Sequence, residues 1–289
     1  MAEVHVARAA SSGFVRDVCV KRLADAGEPE GARALREEAR VLASVRHANV
    51  VSLLAVGEEP TGSPFLVLEL VEGLDLHALV RRLRAAGLAL PEALAVHVAC
   101  ALLRGLGAAE RAMPGLVHRD VTPHNVLVSA EGEIKLADFG IAVAQGRPDW
   151  TPAPFVKGKL GYMSPEQILG RELDPRSDLF SVGVLLYELL SGERPWGPLR
   201  GLRELRAAVE RAHVPLGVRR APVRAGLAAA VERLITRDRR ARPSSADEAL
   251  VALAPFGAGE LGAAALAACV REAAVGVVDS RDGARIDHA

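Results

Sequence analysis

The chain has 289 residues, half of them hydrophobic, with 36 basic and 36 acidic side chains, so its formal net charge is zero. This length and apolar content allow one large domain or two smaller ones with a sizeable core. The balanced charge argues against nucleic acid or an anionic membrane surface as the main partner. Cys19, Cys100 and Cys269 are far apart, which favours buried thiols in a reducing compartment over disulfides or a zinc site.

The sequence also predicts where the protein works. No apolar run reaches the length of a membrane span, and the first residues lack the layout of a signal peptide. We therefore predict a cytoplasmic protein without a membrane span.

The first 23 residues predict a β-hairpin. Residues 4–8 alternate in polarity, a turn that contains Gly13 follows, and residues 15–23 form a second strand. With a period of two, Cys19 and Lys21 lie on the same face of this strand. Taken alone, Lys21 would be an ordinary solvated lysine at a strand edge.

A helix is predicted over residues 32–46. Its apolar stripe, at helical spacing, comprises Leu35, Leu42 and Val45. Glu38 lies on the same stripe, and a carboxylate on a buried face requires a partner. We predict that this partner is Lys21.

Further elements follow in order. Two strands are predicted over residues 50–56 and 64–71, and the pattern is mainly helical from residue 74 onward. Long helices are predicted over residues 91–111 and 174–191, the second ending at Gly192, a good C-terminal stop.

The stretch from residue 118 to residue 140 contains a predicted β-hairpin with polar residues at both ends. Apolar residues alternate over residues 126–128 and 134–136, around a turn at residues 129–133. An antiparallel hairpin begins and ends at the same edge. Asn125, which precedes the hairpin, and Asp138, which follows it, are therefore expected to lie side by side.

Asp120 lies just upstream of this pair. The oxygens of Asn125 and Asp138 suit Mg²⁺, which keeps some waters and takes its other ligands from phosphates. Asp120 suits a base that orients a hydroxyl group. The alternative is that all three are ordinary turn residues, since Asp and Asn favour turns.

The motif H-R-D-x-x-x-x-N over residues 118–125, followed by D-F-G at residues 138–140, resembles the catalytic core of the protein kinase family. That family transfers a phosphoryl group from ATP. The resemblance implies that Asp120 orients the substrate hydroxyl and that Asn125 and Asp138 hold Mg²⁺ on ATP. Asp178 resembles the aspartate that ties its helix to the catalytic loop; a simple first-turn charge is the alternative, and both can hold.

Other motifs carry the same resemblance. Lys21, in V-C-V-K, would hold the α- and β-phosphates, and Glu38 resembles the glutamate of the family's first helix. Residues 66–73 resemble the hinge between the lobes, where the backbone of Glu69 and of Val71 would bond the adenine. The cofactor-binding residues that the resemblance implies further include Val6, Cys19 and Leu127.

Late motifs resemble the family as well. Residues 161–166 resemble the segment that ends in A-P-E, with serine in place of alanine, and Arg242 belongs to the late R-P motif. The resemblance implies that Arg242 pairs with Glu166. Residues 141–156 fit an activation segment, and Arg119 suggests that a phosphate there regulates the protein, with Thr151 as the candidate.

Three departures from the family stand out. The glycine-rich loop G-x-G-x-x-G is missing, and the first glycine is Gly13. Two explanations compete. In the first, the start was placed too late or the chain was trimmed; in the second, this is a degenerate kinase used for binding. We favour the first explanation because the other catalytic positions are intact. Thr122 replaces a usual lysine and Lys159 a usual threonine, and we hypothesise that Lys159 is a catalytic residue that supplies the missing charge.

We therefore predict an α+β, two-lobed protein kinase fold. A small β-rich lobe, without its first strand and glycine-rich loop, spans residues 1–72, and a large helical lobe spans residues 73–254. Residues 255–289 form an extension, with a polar flexible tail from residue 271. The predicted function is transfer of the γ-phosphoryl group of ATP, with Mg²⁺, to Ser or Thr of protein substrates. The alternative is a pseudokinase that acts as a binding module. Specificity for tyrosine is less favoured, and the sequence makes no prediction of the oligomeric state.

Overall fold

The computed structural model describes residues 2–11, 14–25, 28–139, 159–197, 199, 201–220 and 222–278. These residues form a small lobe built on a sheet and a larger lobe built mainly of helices. Gly13 and Gly140, which the sequence analysis assigned to a turn and to D-F-G, lie outside this part of the chain.

The small lobe is an antiparallel sheet with one helix. Its strands lie in the order β1-β2-β4-β3, where the bounds are β1 Ala2–Ser11, β2 Phe14–Leu23, β3 Leu53–Glu58 and β4 Pro64–Glu69. The register places Val6 opposite Cys19 and Lys21 opposite Leu66. Helix α1, Pro29–Ser44, begins earlier than predicted because a proline is well tolerated at the first helical position.

A second, three-stranded sheet carries the predicted hairpin. Its order is β5-β6-β7, with β5 Gly73–Asp75, β6 Val126–Ser129 and β7 Ile134–Leu136. The predicted hairpin is confirmed, because Val126 pairs with Leu136 and Val128 with Ile134, and all four are buried.

This hairpin is also bonded to the small lobe. The Val51 N–H donates to the Leu136 carbonyl at 3.0 Å, and the Leu136 N–H donates to the Asn49 carbonyl at 2.9 Å. The strand predicted from residue 50 therefore begins only at Leu53, because the preceding residues turn toward the hairpin instead of the sheet.

The large lobe is organised around two long helices at its centre. Its helices are α2 Leu76–Ala85, α3 Glu92–Ala112, α4 Pro165–Ile168, α5 Arg176–Ser191, α6 Leu202–Glu210, α7 Leu216–Arg219, α8 Ala225–Leu234, α9 Ala246–Leu253 and α10 Gly262–Val278. Helices α3 and α5 pack against each other and are buried over most of their length. As predicted, α5 ends at Gly192, which has a φ of 84°.

Helix α3 is long and apolar enough to cross a membrane by length and composition, but most of it is buried inside the protein. Within the described residues, the only other candidate is the pair formed by the α9 and α10 segments, which is bent by 92°. The core of a soluble lobe gives the same pattern, so these helices are weak indicators of a membrane span.

Residues 271–278, where a polar, flexible tail was predicted, form the end of α10. Leu266, Val270 and Ala273 of this helix are buried in the core of the large lobe. These apolar positions, three or four residues apart, bind the helix to the lobe. Residues 279–289 lie outside the described chain, and the lobe boundaries at residues 72 and 254 stay predictions.

Candidate active site

Asp120, Asn125 and Asp138 lie at the open end of the β6–β7 hairpin. The Ala137 N–H donates to the Asn125 carbonyl at 2.9 Å, which joins the two ends of the hairpin. The Asn125 Nδ2 donates to the Asp120 Oδ2 and to the Asp120 backbone carbonyl, both at 2.8 Å. The three polar side chains are therefore gathered at one edge, as hairpin geometry predicts.

Lys21 connects this edge to the small lobe. Its Nζ donates to both carboxylate oxygens of Glu38, at 2.7 and 2.8 Å, and to the Asp138 Oδ1 at 2.7 Å. The predicted pair of Lys21 and Glu38 is confirmed, whereas the contact with Asp138 was not predicted. Burial works to lower the pKa of Lys21, but the charges and hydrogen bonds of Asp138 and Glu38 outweigh it and hold the pKa above its ordinary value.

The donor set at this edge fits a magnesium ion that also binds phosphate. The Asn125 Nδ2 is occupied by Asp120, so its amide oxygen is the group that remains to accept. The Asp138 side chain is about half exposed. Two hard oxygen ligands with open sides suit Mg²⁺. Among the described residues, no group of three or more His, Cys, Asp and Glu residues could hold a metal without such outside ligands.

The loop that carries Asp120 is held in a strained conformation by Asp178 of α5. Arg119 and Asp138 have φ values of 71° and 58°, a region that residues other than glycine rarely adopt. Asp178 accepts the His118 N–H at 2.6 Å and the Arg119 N–H at 2.8 Å. The predicted tie between this helix and the loop is therefore confirmed.

Burial raises the pKa of Asp178 to about 7, although the two backbone N–H groups work in the opposite direction. The Arg119 guanidinium is buried too, and burial lowers its pKa while Asp178 raises it. Its Nε and Nη1 have no hydrogen-bond partner among the described residues. The predicted activation segment, with Thr151, lies outside the described part, so its relation to Arg119 stays a prediction.

Several predicted adenine-binding residues border the small-lobe core. Cys19, Val71 and Leu127 all pack against the cluster that contains Leu66 and Phe139. Burial raises the pKa of the Cys19 thiol, and the charge of Asp138 adds to this effect, so Cys19 is electrostatically linked to the predicted metal site.

Two other predicted binding residues have different surroundings: Val6 is exposed to solvent, and the backbone N–H of Glu69 already donates a hydrogen bond. Val6 faces Cys19 across the strand register and is exposed. The Glu69 N–H donates to the Ser52 carbonyl at 3.0 Å, and its side chain accepts a bond from Lys135. A role of Glu69 in holding adenine would therefore rest on its carbonyl group.

The hypothesis that Lys159 supplies charge near Thr122 stays open. Thr122 is buried, and its Oγ1 has no partner within the described chain. Lys159 begins a short 3-10 turn, Lys159–Tyr162, but its side chain lies outside the described structure.

Arg242 and Glu166 form a buried ion pair, as predicted. The Arg242 Nη1 and Nη2 donate to the two Glu166 carboxylate oxygens at 2.7 and 3.0 Å, and Ser177 donates to the same carboxylate at 2.7 Å. Burial works to raise the pKa of Glu166, but Arg242 and Ser177 hold it below its ordinary value. The Arg242 guanidinium also lies over the Phe180 ring, 4.8 Å from its centroid.

Residues 3–251 match the family of protein kinase domains. The chain belongs to the protein kinase family. The match covers both lobes and ends before α10, so α10 lies beyond the matched region.

Curated relatives include kinases with different acceptors. The chain is 42% identical over 171 residues to serine/threonine-protein kinase PknL of Mycobacterium tuberculosis, an alignment that covers 59% of this chain and 41% of the relative. It is 34% identical over 219 residues to tyrosine-protein kinase MasK of Myxococcus xanthus, which covers 73% of this chain and 34% of the relative. The chain thus spans about two fifths or less of the length of these relatives.

A solved structure of the kinase domain of Mycobacterium tuberculosis PknI, determined as a point mutant, has the same fold. The TM-score is 0.65 with 24% identity, over 89% of this chain and 90% of that one. The predicted α+β, two-lobed kinase fold is confirmed.

Two features of the site could not be predicted from the sequence. The Lys21 contact with Asp138 joins residues 117 positions apart. The rings of His77, on α2, and His124, beside Asn125, lie 4.3 Å apart. Neither pair has a local pattern in the sequence, although the hairpin geometry and the D-F-G motif had each singled out Asp138.

Proposed function

We propose that this kinase transfers the γ-phosphoryl group of ATP, bound with Mg²⁺, to a serine or threonine hydroxyl of a protein substrate. The observation that carries the proposal is the meeting of two bonded groups at the open end of the hairpin. Lys21 bonds both Glu38 and Asp138, and Asn125, which bonds Asp120, accepts the N–H of Ala137, the neighbour of Asp138. Phosphoryl transfer depends mainly on such positioning and on charge neutralisation.

Each residue of the network has a distinct part in the proposed reaction. The Asp120 carboxylate, held by the Asn125 amide, accepts a hydrogen bond from the substrate hydroxyl and orients it for attack. Lys21, fixed by Glu38, places its charge where the α- and β-phosphates would bind. Asn125 and Asp138 would hold Mg²⁺, which neutralises charge on the phosphates when bound.

The choice of acceptor and location follows from several observations. PknL is named a serine/threonine kinase and MasK a tyrosine kinase, so the family alone allows both acceptors. We favour Ser and Thr because PknL has the higher identity to this chain.

The location that we propose is the cytoplasm. Cys19, Cys100 and Cys269 are all free thiols, which supports a reducing, cytoplasmic setting.

The test is transfer of labelled phosphate from Mg-ATP to serine-, threonine- and tyrosine-containing peptides. Asp120→Asn should lower kcat by about 10²–10⁴-fold, because it removes the group that orients the hydroxyl. Asp138→Asn should lower activity mainly by weakening magnesium binding. Asp247→Asn is the matched control, because Asp247 is an exposed partner of Arg111. Equal turnover by the wild type and Asp120→Asn would contradict the proposal.

A binding module without turnover is the second candidate. It is favoured by one observation: Glu38 and Asp138 already occupy the three N–H bonds of Lys21, so the ion-pair network is complete without a nucleotide. A thermal shift with Mg-ATP tests binding directly, since ligand at a hundred times its Kd stabilises by about 2.7 kcal/mol. No shift at millimolar Mg-ATP, or a shift without turnover, would support this candidate, and measurable turnover would rule it out.

A further inference from the structure

A pair of histidines lies beside the catalytic loop. His124 immediately precedes Asn125, and His77 lies in the first turn of α2. Their rings are 4.3 Å apart between centroids, with planes inclined by 34°, and both residues are exposed.

The pair continues into a line of basic side chains along α2. His77, Arg81 and Arg84 are four and three residues apart, so they share one exposed face of the helix over about 10 Å. The buried face carries Leu76, Leu79 and Leu83. We define His124, His77, Arg81 and Arg84 as the basic stripe.

The basic stripe has no acidic counterpart on its own helix. Residues 76–85 contain no Asp or Glu, although paired charges of opposite sign are the usual arrangement on a solvated helix. Asp75, just before the helix, is engaged as its N-cap and accepts the Ala78 N–H at 2.6 Å. Arg84, at the far end, donates to the Gly192 carbonyl at 2.9 Å. The guanidinium of Arg81 is exposed to solvent, and His124, at the other end of the stripe, follows Asp120 by four residues in the same loop.

We propose that the basic stripe binds acidic side chains of the protein substrate that flank the phosphoacceptor residue. The proposal rests on the proposed function, because it names the substrate class of the same site. Imidazole and guanidinium groups are donors that match carboxylates. A stripe of four residues on a chain of zero net charge is too small for the many phosphate contacts of a nucleic acid.

Turnover tests this proposal with three peptides that share one threonine and carry alanine, aspartate or lysine on both sides. The wild type should prefer the aspartate peptide to the lysine peptide about tenfold in kcat/KM, mainly through KM, because each exposed charge pair changes binding by about two- to fivefold. The preference should weaken with added salt.

The decisive variant is the double charge reversal His77→Glu/Arg81→Glu. It should abolish or invert the preference, whereas Arg206→Glu, a reversal at an exposed position of α6, should preserve it. Circular dichroism checks the fold, and Arg81→Gln, which should lower the preference about twofold, replaces the double variant if that variant does not fold. An unchanged preference in the folded variant would overturn the proposal.

Binding separates this proposal from the proposed function. Fluorescence anisotropy with the labelled aspartate and lysine peptides measures Kd without turnover. One outcome would refute the kinase reaction and support binding by the basic stripe: no peptide is phosphorylated, the wild type binds the aspartate peptide more tightly than the lysine peptide, and the double variant loses this difference. Equal wild-type Kd values for both peptides would overturn the stripe. Displacement of the aspartate peptide by a single-stranded oligonucleotide at lower concentration than by unlabelled peptide would assign the stripe to nucleic acid instead.

Discussion

At the scale of single residues, Lys21 shares its charge between two carboxylates with different surroundings. Glu38 and Lys21 are both nearly buried, whereas the side chain of Asp138 is 46% exposed. An exposed carboxylate exchanges its partner at lower cost than a buried one. We therefore expect Lys21 to release Asp138 and keep Glu38 when a triphosphate binds, which frees Asp138 for the metal.

The first prediction concerns how much the ion pair of Lys21 and Glu38 contributes to the free energy of unfolding. Lys21→Met should lower the free energy of unfolding by about 3–5 kcal/mol, because Glu38 is left buried without its partner. Lys21→Met/Glu38→Met should lose less than Lys21→Met alone, since both charges are then gone. Urea unfolding of the wild type, the two single variants Lys21→Met and Glu38→Met, and the double variant measures how strongly the two charges are coupled. Arg40→Met is the control, because its pair with Glu37 is exposed and worth about 0–1 kcal/mol. Additive losses would show that the two charges are not coupled.

The second prediction concerns pH and Asp178. Its pKa is raised from 3.8 to about 7 in the folded protein, so the folded state binds more protons than the unfolded state between these values. The free energy of unfolding should therefore fall as pH rises through this window, by up to about 4 kcal/mol. Asp178→Asn should lack this component of the pH profile. Parallel profiles for both proteins, from urea unfolding at several pH values, would contradict the shift.

At the scale of elements, helix α10 is packed directly on the turn of the β6–β7 hairpin. A Cβ atom on Gly132 would lie 1.9 Å from the Ala263 carbonyl oxygen, and one on Gly262 would lie 2.2 Å from the His97 ring. Glycine is required at both positions because the backbones approach so closely. The helix therefore supports the hairpin whose open end carries Asn125 and Asp138.

The third prediction tests this contact by adding a methyl group. Gly132→Ala should destabilise the protein by about 1–3 kcal/mol more than Gly87→Ala, because it forces α10 away from the hairpin turn. The control is well matched: Gly87 has a φ of 73°, against 84° for Gly132, and a Cβ there would meet nothing within 4 Å. Thermal unfolding of both variants measures the difference, and equal Tm values would show that α10 is not seated on the turn.

At the scale of the whole molecule, the buried pair of Arg242 and Glu166 joins segments 76 residues apart. Its charges are nearly inaccessible, and the guanidinium makes two bonds to the carboxylate. Such bidentate geometry is specific to arginine. The pair therefore holds the segment after the predicted activation segment against the last part of the large lobe.

The fourth prediction follows from this geometry. Arg242→Lys should lower the free energy of unfolding by about 2–4 kcal/mol, because lysine cannot restore both bonds and the buried Glu166 is left partly unsatisfied. Arg233→Lys, in the exposed pair with Glu248, should cost less than about 1 kcal/mol. Urea unfolding compares the two variants, and similar losses would mean that burial does not strengthen the pair.

Much of this architecture follows from short-range pattern. The hairpin and the ends of α3 and α5 lie within about two residues of their predicted positions, because polarity alternation, turn residues and helix stops act between near neighbours. The closeness of Asn125 and Asp138 follows in the same way, from the geometry of one hairpin. A buried carboxylate on a helix stripe was enough to predict the partner of Glu38.

The sequence by itself therefore determined the two-lobed fold, the catalytic hairpin and most residues of the candidate site. Only the tertiary structure decided that Lys21 also contacts Asp138, that His77 contacts His124, and that α10 continues through residues 271–278. These contacts depend on how the surfaces of distant elements fit together, which is a property of the assembled core. Alanine-rich α10 shows the reason: its weak apolar pattern becomes a core face only because the large lobe offers a surface for it to cover.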